Sequence, residues 1–294
     1  MNKKIYTYAY ALIAYAVVCT TISVATISVE RISPKKSCII FDIDDVINKM
    51  NWSGLVKDIV MLDYPWKTIP IAWSMKDLYV NTPSDGLALK DLQGNIIDYC
   101  SGVDFILLYF GMIQPKFQPY VHRVFQTVNQ QRVIAKPVMK IIQDLKSQGH
   151  IIYYATNKSY ASYIESLKVM PEEFAQAPEK VFTTAPCGDE RFFKQLIALE
   201  GDVSVDSSYK SFLQYILNIE PMENVYRVPS QKPNRKYYDF VLAHVPGDVQ
   251  TIFIDDKKKN VEAAVAAGVH IGIIFQDVKQ FAQELSKNNL LDSI

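Results

Sequence analysis

The chain has no excess of charge of either sign, since 31 lysines and arginines are matched by 31 aspartates and glutamates. No global field is therefore available to gather nucleic acid or an anionic membrane surface. Cysteine is scarce, with 4 in 294 residues. If a leader containing Cys19 is removed, Cys38, Cys100 and Cys187 remain, an odd number for a disulfide framework. Cys38 falls in an apolar run, where a cysteine packs as a small hydrophobe. A Cys100–Cys187 bridge and three free thiols both stay open. His122, His150, His244 and His270 have no metal-ligand spacing, and no internal repeat occurs.

The amino terminus is of a different kind. Lys3 and Lys4 precede residues 5–29, which contain no charge. A basic start followed by such a stretch addresses a chain to a membrane, and two readings stand. Ser23-Val24-Ala25 supplies the small residues of a signal-peptide cleavage site, while the whole stretch also reaches the roughly 20 residues of a single span. The expectation is export, periplasmic or secreted, or anchoring by residues 5–29, with no other membrane contact. Val18 before Cys19 is not the small residue of a lipoprotein site.

Two apolar runs end in acids. Cys38-Ile39-Ile40-Phe41 leads into Asp42-Ile43-Asp44-Asp45-Val46, and Thr251-Ile252-Phe253-Ile254 leads into Asp255-Asp256. Each reads as a buried parallel strand that delivers carboxylates to a crevice at its carboxyl end. Side-chain alternation places Asp42 and Asp44 on one side of an extended backbone, so that one can act as nucleophile while the other handles protons. Between these runs stand a third strand, Ile151-Ile152-Tyr153-Tyr154-Ala155-Thr156-Asn157, and the pair Lys232-Pro233. Lys232 is favoured over Lys236 because Lys-Pro sets the amine at a helix start.

In these four motifs the chain resembles the haloacid dehalogenase superfamily, most of whose members are phosphatases. The resemblance implies a doubly wound parallel α/β sheet with the strands bearing Asp42 and Asp256 side by side in the middle. It makes Asp42 the nucleophile that forms an aspartyl-phosphate, and Asp44 the acid that protonates the leaving alcohol and then activates water. Thr156 would donate its hydroxyl to a phosphoryl oxygen, and Lys232 would offset charge and orient Asp42. It implies Mg²⁺ held by Asp42, Asp256 and the backbone carbonyl of Asp44, with Asp255 behind them. One of Asp255 and Asp256 is expected to cap the following helix. An acid at Asp44 disfavours a dehalogenase, whose chemistry needs no leaving-group proton there.

The core is expected at residues 37–46 and 135–285, after a leader and linker over residues 1–36. Residues 47–134 are too long for a simple crossover and read as an inserted module. Its aromatic and apolar content, including Trp52, Trp66, Trp73, Phe105, Leu107, Leu108, Tyr109 and Phe110, suits a folded core rather than a linker. The resemblance makes this module a mostly helical cap that sets substrate choice. A second, smaller insertion is expected at about residues 185–230. The run Lys257-Lys258-Lys259 reads as a solvated helix start. The leading function is a Mg²⁺-dependent phosphatase acting on a small phosphomonoester. A phosphomutase using the same residues, and a binding protein that has lost catalysis, are the alternatives.

Overall fold

The computed structural model describes residues 36–60, 87–90, 96–100, 107–108, 111–112, 115–184 and 190–291. The leader, Trp66, Trp73, Phe105, Tyr109, Phe110 and Cys187 lie outside the described residues. Among those described, no helix is long and apolar enough to cross a membrane.

In chain order the elements are β1 (Ser37–Phe41), β2 (Asn48–Met50), α1 (Trp52–Val60), β3 (Leu87–Lys90), β4 (Ile96–Cys100), α2 (Gln118–Gln130), β5 (Arg132–Ile134), α3 (Lys136–Ser147), β6 (Ile151–Ser159) and α4 (Tyr160–Leu167). There follow α5 (Glu172–Gln176), β7 (Lys180–Thr184), α6 (Glu190–Gly201), α7 (Ser207–Asn218), β8 (Val225–Val228), α8 (Arg235–Leu242), β9 (Gln250–Asp255), α9 (Lys258–Ala267), β10 (Ile271–Ile274) and α10 (Val278–Lys287).

Six strands form one sheet in the order β10-β9-β1-β6-β7-β8, with every neighbouring pair parallel. Alternation along each strand sends its side chains to two apolar layers. Ile39, Phe41, Ile152, Tyr154, Ile252 and Ile254 pack with Val138, Ile142 and Leu145 of α3 and with Phe281 and Leu285 of α10. Cys38, Ile40, Ile151, Tyr153 and Phe253 pack on the opposite face with Tyr237, Tyr238 and Val241 of α8 and with Val261 and Ala264 of α9. The doubly wound sheet is thus as expected, with β1 and β9 adjacent. Cys38 is buried as a core residue, and its thiol is pushed up to about 12 by burial.

The chain leaves the core after β1 and returns through β5, and β2 and β5 pair antiparallel across that neck. The described part of the insertion mixes α1 and α2 with the β2–β5 and β3–β4 ribbons, so it is less purely helical than expected. Trp52, expected in its core, is 46% exposed. The second insertion is also shorter than expected. Val225–Val228 is an edge strand of the main sheet rather than part of the insertion, and its pairing with β7 alone left only a weak sequence signal.

The two insertions are not independent. Leu55, Leu108, Val121 and Phe125 of the first share one apolar cluster with Leu196, Phe212, Leu213 and Ile216 of the second, and Ala161 of α4 joins them from the core. The Phe125 and Phe212 rings lie 5.0 Å apart, and His122 stacks on Phe212 at 5.1 Å. Gly111 permits this close packing, because a Cβ there would fall 2.2 Å from the Tyr209 ring. The Tyr209 hydroxyl donates to the Leu108 carbonyl.

Candidate active site

The site stands at the carboxyl ends of β1, β6 and β9. Asp42 is seated by its own backbone, whose N–H donates to Ile254 O at 2.8 Å and so joins the end of β1 to β9. Its Oδ1 accepts from Ile43 N at 2.8 Å and from Lys232 Nζ at 2.8 Å. Asp42 is only 5% exposed, and that burial pushes its carboxyl pKa upward against the pull of Lys232.

Lys232 is the hub of the site. Its Nζ also donates to Asp255 Oδ2 at 2.7 Å and to Ala155 O at 3.0 Å. Burial alone would lower its pKa, but Asp255 and Asp42 outweigh it and hold the ammonium well above its ordinary value. Its backbone is clamped on both sides by Asn157, whose Oδ1 accepts from Lys232 N at 2.8 Å and whose Nδ2 donates to Lys232 O at 3.0 Å. The expected helix start is displaced, because α8 begins at Arg235 behind an Asn234 cap. The amine is therefore aimed by Asn157 and the two carboxylates rather than by the helix.

Asp255 and Asp256 divide their tasks by position. Asp255 is completely buried. Its Oδ1 accepts from Lys257 N and Asn260 Nδ2, both at 2.9 Å, and its Oδ2 accepts from Asn260 at 3.0 Å as well as from Lys232. It thus holds the turn that leads into α9, without capping the helix, and braces Lys232. Asp256 has a buried Oδ1 with no hydrogen-bond partner, and burial followed by repulsion from Asp255 raises its pKa to about 6. Carboxylate oxygens of Asp42, Asp255 and Asp256 lie within 4.8 Å of one another. Three hard oxygen donors with one orphaned buried oxygen fit a small divalent cation such as Mg²⁺. With three donor groups already making four hydrogen bonds to Asp255, the oxygens left open to a cation are those of Asp42 and Asp256.

Asp44 departs from expectation. The strand ends at Phe41, and the chain then turns, with Asp45 at φ +62 and Asp45 N donating to Asn48 O at 2.7 Å. Asp42 and Asp44 are therefore not successive outward positions on one extended strand. Asp44 Oδ1 lies 3.0 Å from Arg132 Nη1 and 3.1 Å from Lys158 Nζ. Burial would raise its pKa, yet the guanidinium and ammonium together hold it down at about 2. The protonated acid expected at the start of the reaction is thus an anion in this arrangement. Lys158 is itself lowered to about 8, first by burial and then by the Arg132 charge.

Thr156 is fully buried within β6, which runs three residues past it to Ser159. Its Oγ1 accepts from Lys158 N at 3.0 Å. Of the residues that the motifs did not single out, Asn157 and Lys158 directly follow Thr156, so their nearness to the site was available locally. Arg132 carried no such signal, because its role depends on pairing between segments remote in sequence, whereas Asn260 stands five residues after Asp255, within the fourth motif. The lysines at 257–259 are exposed, as a solvated helix start requires.

No family model matches the chain, and no curated protein sequence matches it. Among solved structures, a hydrolase of the haloacid dehalogenase family from Deinococcus radiodurans R1, with bound phosphate and sodium, is similar at 12% identity and a TM-score of 0.45, over 88% of this chain and 98% of that one. A family enzyme from Bacteroides thetaiotaomicron, in complex with magnesium and inorganic phosphate, is similar at 11% identity and a TM-score of 0.44, over 82% and 96%. An L-2-haloacid dehalogenase is similar at 12% identity and a TM-score of 0.46, over 80% and 83%. At such identities the likeness bears on no residue role and no substrate. The strand order and the meeting of the four motifs at one sheet edge stand on their own: this chain has a doubly wound parallel α/β core whose strand-end acids gather at one edge.

Proposed function

We propose that the protein is a Mg²⁺-dependent phosphatase that hydrolyses a phosphomonoester through an aspartyl-phosphate on Asp42. The observation that carries this reading is the orphaned Asp256 oxygen beside the Asp42–Lys232–Asp255 ion cluster. Formal charge supports it. Asp42, Asp255 and Asp256 with Lys232 sum to minus two, which a divalent cation neutralises, while Arg132 and Lys158 stand against Asp44 beside it. A dianionic phosphoryl group is tolerable only against such a balance.

Mg²⁺, when bound by Asp42 and Asp256 with the Asp44 carbonyl, supplies charge neutralisation at the phosphoryl oxygens. In the first half-reaction a carboxylate oxygen of Asp42 bonds to phosphorus while the bond from phosphorus to the alcohol oxygen breaks, and that oxygen takes the proton of a protonated Asp44, which leaves Asp44 as the carboxylate. Lys232 holds the attacking carboxylate in place, and the Thr156 hydroxyl donates to a phosphoryl oxygen. In the second, a water oxygen bonds to phosphorus as the bond to Asp42 breaks, Asp44 takes the proton of the water, and inorganic phosphate leaves. Asp44 is set for the second role as it stands. To serve the first it must separate from Arg132 and Lys158 and pick up a proton.

Hydrolysis of p-nitrophenyl phosphate with and without Mg²⁺ tests the proposal, together with mass spectrometry of the Asp44→Asn variant for a phosphate adduct. Absence of Mg²⁺-dependent turnover on this ester and on a panel of phosphorylated metabolites would sink it. We also propose export or anchoring through residues 5–29. Amino-terminal sequencing of protein from cells should show a start near Thr26 if the leader is cleaved, and a full-length chain in the cytosolic fraction would refute both.

A further inference from the structure

We propose that Thr184 and Tyr237 are positioning residues for the reaction, their hydroxyls holding a break in β6 that delivers Thr156, Asn157 and Lys158 to the site. The inference rests on the phosphatase reading and deepens it by naming what fixes the segment that meets the phosphoryl group.

Two observations meet here. The first is a fault in the register between β6 and β7. Tyr153, Tyr154 and Ala155 pair in step with Lys180, Val181 and Phe182, but the next pair is Ser159 with Thr184. Residues 156–158 therefore stand opposite Thr183 alone. Extra residues in one strand of a pair leave the ladder and bend the strand, which re-aims their side chains. The displaced residues are the ones that serve the site. The Thr156 hydroxyl oxygen accepts from Lys158 N at 3.0 Å, Asn157 clamps the Lys232 backbone, and Lys158 reaches Asp44 at 3.1 Å.

The second observation is how the displaced backbone is satisfied, since buried carbonyls that leave a ladder need other donors. Tyr237, fully buried on α8, donates to Thr156 O at 3.2 Å and to Phe182 O at 2.9 Å, so one hydroxyl spans β6 and β7 where the register fails. Thr184, only 1% exposed, donates to Asn157 O at 3.3 Å and to Lys158 O at 3.2 Å. Each hydroxyl has a single proton, shared between its two acceptors. Together they reach the carbonyl of every residue in the break. Its far end is fixed as well, because Ser159 caps α4 by accepting from Ser162 N at 3.1 Å. Thr183 supplies a contrast, since its hydroxyl donates instead to Tyr226 O on β8 at 3.1 Å. A displacement of about 1 Å in a reacting constellation can cost on the order of a hundredfold in rate. The break places the Thr156 hydroxyl directly and the Lys232 ammonium through Asn157.

The test measures kcat and KM of the purified full chain and its variants on p-nitrophenyl phosphate with Mg²⁺, alongside thermal melting to establish folding. Thr184→Val keeps the shape and loses the donor, and should lower kcat about ten- to a hundredfold while KM changes by less than about threefold. Thr184→Ser retains the donor and should recover most of that loss. Thr183→Val removes a bond of similar length outside the break and should leave kcat within about twofold of the parent. Tyr237→Phe should lower kcat in the same manner but by less, because its hydroxyl lies nearer Phe182 O than Thr156 O. That variant decides the matter if Thr184→Val does not fold. Parental kcat in a folded Thr184→Val or Tyr237→Phe would overturn the role of that residue and leave the phosphatase standing. An equal fall in Thr183→Val and Thr184→Val, or in Thr184→Ser and Thr184→Val, would reveal a general packing role and overturn the inference too. No turnover by the unaltered chain, on this ester or on phosphorylated metabolites, would remove the phosphatase reading and the inference with it.

Discussion

Asp42 and Asp44 are separated by one residue, yet their electrical surroundings are opposite. Asp42 stands among carboxylates with a single ammonium, and burial pushes its pKa up. Asp44 stands against a guanidinium and an ammonium, which overcome its burial and hold it near 2. The same residue type in the same motif is thus given two opposite electrostatic settings by partners that arrive from other segments. A motif names the carboxylates; the segments folded against them set their charge.

The most severe way to break this contrast is to remove its inner member. Asp42→Asn should lower turnover by about four orders of magnitude or more while the protein stays folded, measured by steady-state kinetics alongside circular dichroism. Substantial residual activity would defeat the covalent route.

The neighbouring pair Asp255 and Asp256 sharpens the comparison, since one carboxylate is saturated by protein donors and the other is not. Asp255→Ala leaves Lys232 buried with a partner missing and should cost about 3–5 kcal/mol in denaturant unfolding. Asp256→Ala should unfold close to the parent protein but need about 10- to 100-fold more Mg²⁺ for half-maximal activity, on the scale of a lost metal contact. The reverse pattern would show that the metal takes Asp255. Chelation by EDTA should abolish turnover, and added Mg²⁺ should restore it.

A smaller effect is expected at the clamp. Asn157→Ala removes two hydrogen bonds to the Lys232 backbone and should cost about 1–3 kcal/mol of stability, with kcat falling more than KM rises. The smallest serves as the control. Glu262 and Lys258 form an ion pair at 3.5 Å with side chains 64% and 73% exposed, and Glu262→Gln should change stability by no more than about 0.5 kcal/mol.

Much of the core could be read from the chain. Apolar runs ending in acids located β1 and β9, because a strand buried on both faces excludes polar residues until it reaches the crevice. Lys232 and Thr156 followed from their motifs, and the structure brings Lys232 to 2.8 Å from Asp42. The edge strand β8 was absorbed into an insertion, because four residues paired on one side carry little pattern. The insertions read as two segments, whereas they share one core through Phe125 and Phe212. Nothing local to either segment announces that partnership.

What the sequence determined by itself was therefore the central strands of the sheet and the acids at their ends, since burial and side-chain alternation write themselves into neighbouring residues. Only the tertiary structure decided that Asp255 is saturated while Asp256 keeps an open oxygen, and that Asp44 is held as an anion by Arg132 and Lys158. Charge state and hydrogen-bond saturation depend on which groups meet in space, and here Arg132, Lys158 and Lys232 come from β5, β6 and the loop before α8 to join the local donors Lys257 and Asn260, a grouping that no local pattern encodes.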